Sequence, residues 1–366
     1  MERPIRPIRP IRRVTIVAAS LISLATFAAL LSTDAWPAAM VTAPPSLLPP
    51  SDRSALPTIV EPTSGQDQGN AASSDPRASV GASRQATSAN VASAATALPA
   101  FRHIYLIVME NHEYGSIVGN THAPFINSLI RRYGLATNYH GITHPSLPNY
   151  LALFAGQTFG IRDDGIHNIS AHNLVDQLEG HGRTWHVYAQ DKPSGCYTGS
   201  SHYGGVDLVG LAGYYVRKHE PAISFTDISR VARRCALVTS LSSFDPAAAN
   251  FELIVPNLSN DMHDGSIAQG DAWLAREVPK IFASDAYKNG GVLFLLWDEG
   301  GGAADDPPFL AISPQAKAGL VSQTDYDTSA FLKTVEVMLG VEPLPCAAQP
   351  DAVSTMSDLF TAPVGP

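Results

Sequence analysis

The sequence predicts a layered α/β domain on a mostly parallel sheet, from three observations: uninterrupted apolar runs, helical patterns that alternate with them, and polar clusters directly after the runs. The runs are HIYLIVM (His103 to Met109), TWHVYA (Thr184 to Ala189), FELIVP (Phe251 to Pro256) and GVLFLLW (Gly291 to Trp297). Runs rich in β-branched and aromatic residues, without polar alternation, suit strands covered on both faces. Strands alternating with helices give layers of helix on a parallel sheet.

Each element can be justified in order. After the first run, APFINSLIRRYG sets Phe125, Leu129 and Tyr133 on one helical face, with Gly134 as a stop. In GITHPSLPNYLALFAG, Pro148 and Asn149 start a helix, Leu151 and Phe154 bury one side, and Gly156 ends it. AHNLVDQLEGHG supplies a helix before the second run, AQGDAWLAREV one before the fourth, and TSAFLKTVEVMLG the last.

The first hundred residues lie apart from this domain. Five arginines (Arg3, Arg6, Arg9, Arg12, Arg13) precede an uncharged stretch from Val14 to Thr33, the pattern of an export signal. Small residues in DAWPAAM permit cleavage near Ala39, and the apolar stretch is also long enough to remain as a membrane anchor, so residues 1–40 are read as signal peptide or anchor. Residues 41–99, rich in Pro, Ser and Ala, cannot bury enough apolar surface to offset chain entropy and read as a disordered linker. Residues 100–366 form the folded domain. The protein is expected outside the cytoplasm: periplasmic, extracellular, or tethered to a membrane facing outward.

From position 100 onward there are 16 Lys and Arg against 27 Asp and Glu. Such an acidic domain offers no broad basic face to nucleic acid, so the positive charge for an anionic substrate must come from a metal or a few local groups. Of three cysteines, Cys196 and Cys235 share a loop-rich region and are expected to pair, leaving Cys346 free.

The polar clusters hold the chemistry. Glu110 and Asn111 follow the first run, Asn257 to Asp264 (NLSNDMHD) the third, and Asp298 to Gly302 (DEGGG) the fourth. In an open parallel sheet the carboxyl ends of the strands lie along one edge, so the three clusters should meet in one crevice. Glu110, Asn111, Asp298 and Glu299 offer hard oxygen donors for a divalent cation such as Mg²⁺, Ca²⁺ or Mn²⁺, or for Zn²⁺ or Fe with an imidazole or serine oxygen assisting. Without a cation between them these carboxylates would repel one another. Ser146 sits at a helix N-terminus, where free N–H groups and the helix dipole hold an anion. A helix cap would occupy the same place, and local sequence leaves cap and nucleophile both open.

Beyond these residues, MENHEYGSI, THPSLPNYLALFAGQTFGI, YVRKHEP, PNLSNDMHDGSI, LLWDEGGG and FLKTVEVMLG occur in the order seen in the phosphoesterase family of secreted acid phosphatases and bacterial phospholipases C. The resemblance covers essentially all of residues 101 to 340 and is closer to the acid phosphatases. It implies a three-layer α/β/α sandwich of the alkaline-phosphatase type, metal-dependent attack on phosphorus and a covalent phosphoenzyme. SLPNYLALFAG also resembles the nucleophile segment of nucleotide pyrophosphatases, which places Ser146 at the attacking position. The resemblance further puts Glu110 and Asn111 on the first metal-binding segment, Asp298 and Glu299 on the last, and Asp261 and His263 on a middle segment that binds phosphate or a second metal. Thr328 stands where many relatives have a histidine, which leaves a full second metal site in doubt. His144 and His263 are candidates for phosphate binder or proton donor. The remaining histidines, His219 among them, are read as packing or surface residues.

The expected activity is hydrolysis of a small phosphorylated substrate by a serine phosphomonoesterase. The alternatives are a phospholipase C-like phosphodiesterase and a surface protein that keeps the fold and metal but only binds.

Overall fold

The computed structural model describes residues 98–206, 212–302, 306–345 and 353–361; the expected export segment and linker, up to residue 97, and Cys346 lie outside the described residues. In chain order the first half holds β1 (His103–Met109), α1 (Tyr114–Ile117), α2 (Pro124–Arg132), β2 (Gly134–Ala136), β3 (Tyr139–His140), α3 (Ser146–Ala155), α4 (Leu174–Gly180), β4 (Trp185–Ala189), β5 (Ser201–Val206) and β6 (Ala212–Val216). The second half holds α5 (Thr226–Ser229), α6 (Ala232–Cys235), β7 (Val238–Ser240), β8 (Phe251–Val255), α7 (Ile267–Ala283), α8 (Asp285–Lys288), β9 (Gly291–Trp297), β10 (Phe309–Ile312), β11 (Val321–Ser322), β12 (Tyr326–Asp327) and α9 (Thr328–Leu339).

All four apolar runs are strands of one sheet, ordered β11-β2-β10-β9-β1-β8-β4-β7. β1 pairs in parallel with β8 and β9, and β4 in parallel with β8 and β7. Only β10 runs against its neighbours β9 and β2. β2, β10 and β11 are absent from the sequence reading because two to four residues carry no period of their own.

Alternation along the strands divides the side chains between two cores. Ile104, Leu106 and Val108 of β1 join Phe251 and Leu253 of β8 and Phe294 and Leu296 of β9 under α3, α4 and α9. Tyr105, Ile107 and Met109 face the other way, with Leu293 and Leu295, toward Ile126 and Leu129 of α2 and Trp273, Leu274 and Val278 of α7. These two cores make three layers, helix, sheet and helix, as expected. α3 is buried all round, from Ser146 to Ala155, which explains why it is apolar on nearly every face.

Two local expectations are corrected. Gly134 opens β2 rather than stopping α2, which ends at Arg132 with Tyr133 as its C-cap. α3 begins at Ser146 itself, with Pro145 as N-cap, and not at Pro148 or Asn149; Gly156 ends it in the left-handed region, at φ 73°. Cys196 and Cys235 are bonded to each other, as expected. No helix among the described residues is long and apolar enough to cross a membrane.

Candidate active site

Strand register brings the acidic clusters together. Met109 stands opposite Trp297 in the β1–β9 pair, so Glu110 emerges beside Asp298, whose backbone N–H donates to the Met109 carbonyl at 3.1 Å. On the other side the Glu110 N–H donates to the Asp261 carbonyl at 2.8 Å. Continuing the alternation, residues 110 and 298 belong to the face that carries α3. There the Ser146 hydroxyl donates to Glu110 Oε2 at 3.1 Å, and the Tyr150 hydroxyl, one turn on, donates to Oε1.

Ser146 is therefore no cap. Its helix has no side-chain capping bond, and its hydroxyl is turned to a carboxylate. The helix start offers fewer open donors than the sequence suggests: the Leu147 N–H donates to Asp164 Oδ1 at 3.0 Å, and Pro148 has none. Thr143, the nearest other hydroxyl, is turned to the His144 carbonyl.

Glu299 is held by Asn149 Nδ2 at 2.9 Å and Asn111 Nδ2 at 3.3 Å, with His144 Nδ1 at 3.1 Å. Asn149 also accepts from the Ile142 and Thr143 N–H groups, which fixes the loop leading into α3. His144 stands at the rim, its side chain half exposed. His263 is packed over Asp261, whose Oδ1 accepts its backbone N–H at 2.8 Å, while its Nε2 lies 3.2 Å from Lys218 Nζ. Asn111 and Met262, each following a site carboxylate, hold left-handed φ angles of 46° and 83°, a strained arrangement for residues with side chains.

The residue that sequence reasoning missed is His219. It is fully buried, with Nε2 3.2 Å from Glu110 Oε1 and Nδ1 3.1 Å from Asp261 Oδ2, and its ring stacks on Tyr150. Lys218 beside it bonds Asp164 Oδ2 at 3.0 Å. The signal was the run RKHE between aromatic residues and a proline in YVRKHEP, four ionisable residues in a segment otherwise fit for burial.

Burial pushes the carboxyls of Glu110, Asp261 and Asp298 well above the ordinary range, and each is pushed further by a neighbouring carboxylate. Burial drives His219 down, keeping its imidazole neutral, with Lys218 and His263 adding to the effect. Both Asp298 oxygens and Asn111 Oδ1 are buried without a well-formed hydrogen bond, although the backbones of Asn111 and Glu299 lie near Asp298. Buried carboxylates without partners, next to a neutral imidazole and an amide oxygen, are the donor set of a divalent cation site. Glu110, His219 and His263 also place ligand atoms within 4.8 Å of one another. A cleft of about 460 Å³ beside the disulfide, lined by Pro193, Cys196, Cys235 and Val238 among others, contains none of these groups.

Comparison with known proteins decides the family: residues 120–342, which include Ser146, His219, Asp261, His263, Asp298 and Glu299, match the Phosphoesterase family. The chain belongs to the phosphoesterase family. Glu110 and Asn111 lie just ahead of the matched segment. Among curated relatives of this phosphoesterase, a phosphatidylinositol-3-phosphatase of Mycobacterium tuberculosis is 36% identical over 68% of this chain and 80% of its own length. An acid phosphatase of Aspergillus fumigatus is 28% identical over 55% of this chain and 45% of its own, so the chain spans less than half of that fungal relative. A solved alkaline phosphatase superfamily protein from Vibrio parahaemolyticus aligns over 69% of this chain and 70% of its own, at 12% identity and TM-score 0.46. Family membership and the named phosphatases make the protein a phosphoric ester hydrolase.

Proposed function

We propose that this phosphoesterase is a divalent-metal-dependent phosphomonoesterase that works through a phosphorylated Ser146. One observation carries the reading: a buried serine hydroxyl heads a helix, caps nothing, and donates to one of several crowded carboxylates. Glu110, Asn111, Asp298 and Glu299, with Asp261 and His219 beside them, would hold the ion. When bound, it supplies the positive charge that balances these carboxylates and polarises a phosphoryl oxygen.

Ser146 Oγ attacks phosphorus, forming the Oγ–P bond as the P–O bond to the substrate alcohol breaks, and its proton leaves along the hydrogen bond to Glu110. His144, at the rim, gives a proton to the departing oxygen. Lys218, held between Asp164 and His263, offers its ammonium to the non-bridging oxygens. Water, giving a proton back to His144, then attacks the phosphoserine; the Oγ–P bond breaks, phosphate leaves, and Ser146 Oγ takes its proton back from Glu110. A monoester substrate is supported by the relatives, which are named as phosphatases. The arginine-rich start and the uncharged stretch behind it support export, with residues 41–99 as the linker to the catalytic domain of residues 100–366.

Acid quench during turnover of a radiolabelled phosphomonoester, followed by peptide mapping, should find the label on Ser146, and a chelator should suppress turnover. Label on Thr143, or an active Ser146→Ala protein, overturns the assignment.

A further inference from the structure

Beside the nucleophile's helix an open cleft of about 400 Å³ lies between the loop entering α3 and the loop leaving it, lined by Ile142, Thr143, His144, Thr158, Ile161 and Arg162. The position ties it to the reaction. His144 lines it while contacting Glu299, and the 160s loop is fastened to the start of α3 through Asp164, which accepts from the Leu147 N–H. The cleft thus opens next to the loop that leads into the helix Ser146 heads, where the alcohol half of a phosphate ester has room to lie.

Two features of the lining describe that alcohol. Ile142, 40% exposed, and Ile161 together give the cleft one apolar wall for a carbon skeleton. Arg162 is exposed and pairs with no carboxylate among the described residues, although two acids follow it: Asp163 is bonded to His167 and Asp164 to Lys218. What sets Arg162 apart is its place in the lining of this cleft, where a guanidinium can offer a two-pronged fork to an anion.

We infer that this cleft binds the leaving group, and that Arg162 selects phosphomonoesters whose leaving group carries a second phosphate, on a soluble molecule or within a phospholipid headgroup. The inference rests on the phosphomonoesterase reading and names its substrate class. Ile142 and Ile161 cover the apolar part, Arg162 takes the second phosphate, and His144 lies along the path of the departing oxygen.

The test compares kcat/KM for fructose 1,6-bisphosphate, and for phosphatidylinositol 3-phosphate in phosphatidylcholine vesicles, with that for 4-nitrophenyl phosphate. It uses the wild-type protein, Arg162→Gln and Arg162→Glu, with thermal unfolding checking that the variants fold. The ratio of second-phosphate substrate to 4-nitrophenyl phosphate should fall about ten-fold in Arg162→Gln and further in Arg162→Glu, mostly through KM. The wild-type preference should shrink as salt is raised. A fall on both substrates assigns the fork to any second phosphate, and a fall on the vesicles alone assigns it to a lipid headgroup. Ratios unchanged on both, in folded variants, overturn the inference and leave the phosphomonoesterase reading standing. A wild-type protein inactive on all three substrates defeats that reading, and this inference with it.

Discussion

At the scale of the residue, Asp298 is the most exacting group in the site. Its carboxyl is buried, lacks a well-formed hydrogen bond, and is crowded by Glu110 and Glu299, so without a cation its charge opposes folding. Asp298→Asn should therefore stabilise the chelator-treated protein at neutral pH, on the order of 1 kcal/mol, while abolishing the stabilisation that added divalent metal gives the wild type. Thermal unfolding with and without metal checks both halves, and a variant still stabilised by metal would remove Asp298 from the ligand set. That Glu110, Asn111, Asp261, Asp298 and Glu299 lie together was legible in the sequence because strand ends share an edge, a rule that needs no knowledge of packing. His219 was not, because its partners Glu110 and Asp261 lie 109 and 42 positions away and its burial depends on α3 closing over it through Tyr150.

At the scale of the element, α9 carries a second buried acid far from the chemistry. Glu336 accepts from the Leu344 N–H at 2.9 Å with one oxygen and meets no donor with the other, and burial pushes its carboxyl up to about 8. The unfolded chain loses this proton near 4.5 while the folded one keeps it to about 8. Below that window the group costs nothing, across it stability falls as pH rises, and above it the loss is complete. Glu336→Gln should keep the bond to Leu344 and remove that slope, raising stability at pH 8 on the order of 2 kcal/mol with little change at pH 4.5. Equal shifts at both pH values would refute the account. The long elements were readable because period and length agree; β1 and β9 coincide with their apolar runs to the residue. β2 and β10 were not, since GLA and FLAI become strands only by pairing with each other and with β9.

At the scale of the whole molecule, the bond from Cys196 to Cys235 closes 39 positions of chain around the hairpin of β5 and β6. Such a loop constrains the unfolded state, so replacing both cysteines by alanine should lower stability by about 3–4 kcal/mol. The bond lies in the wall of a cleft that holds none of the site residues, so kcat at 25 °C should stay near wild type, and unfolding and rate measurements on one preparation check the two together. The sorting of β1 side chains into two cores carries a further consequence, for which changes of length the chain tolerates. Adding or deleting one residue between His103 and Met109 would exchange the occupants of both cores and turn residue 110 toward the opposite layer, away from Ser146. Among the described residues β5 and β6 pair as strands only with each other, so a length change there leaves the register of the main sheet intact. Viable length variants should therefore collect in that hairpin and be missing from β1, so the reading frame of the strand, more than the identity of any one of its apolar residues, is what holds the acid against the serine.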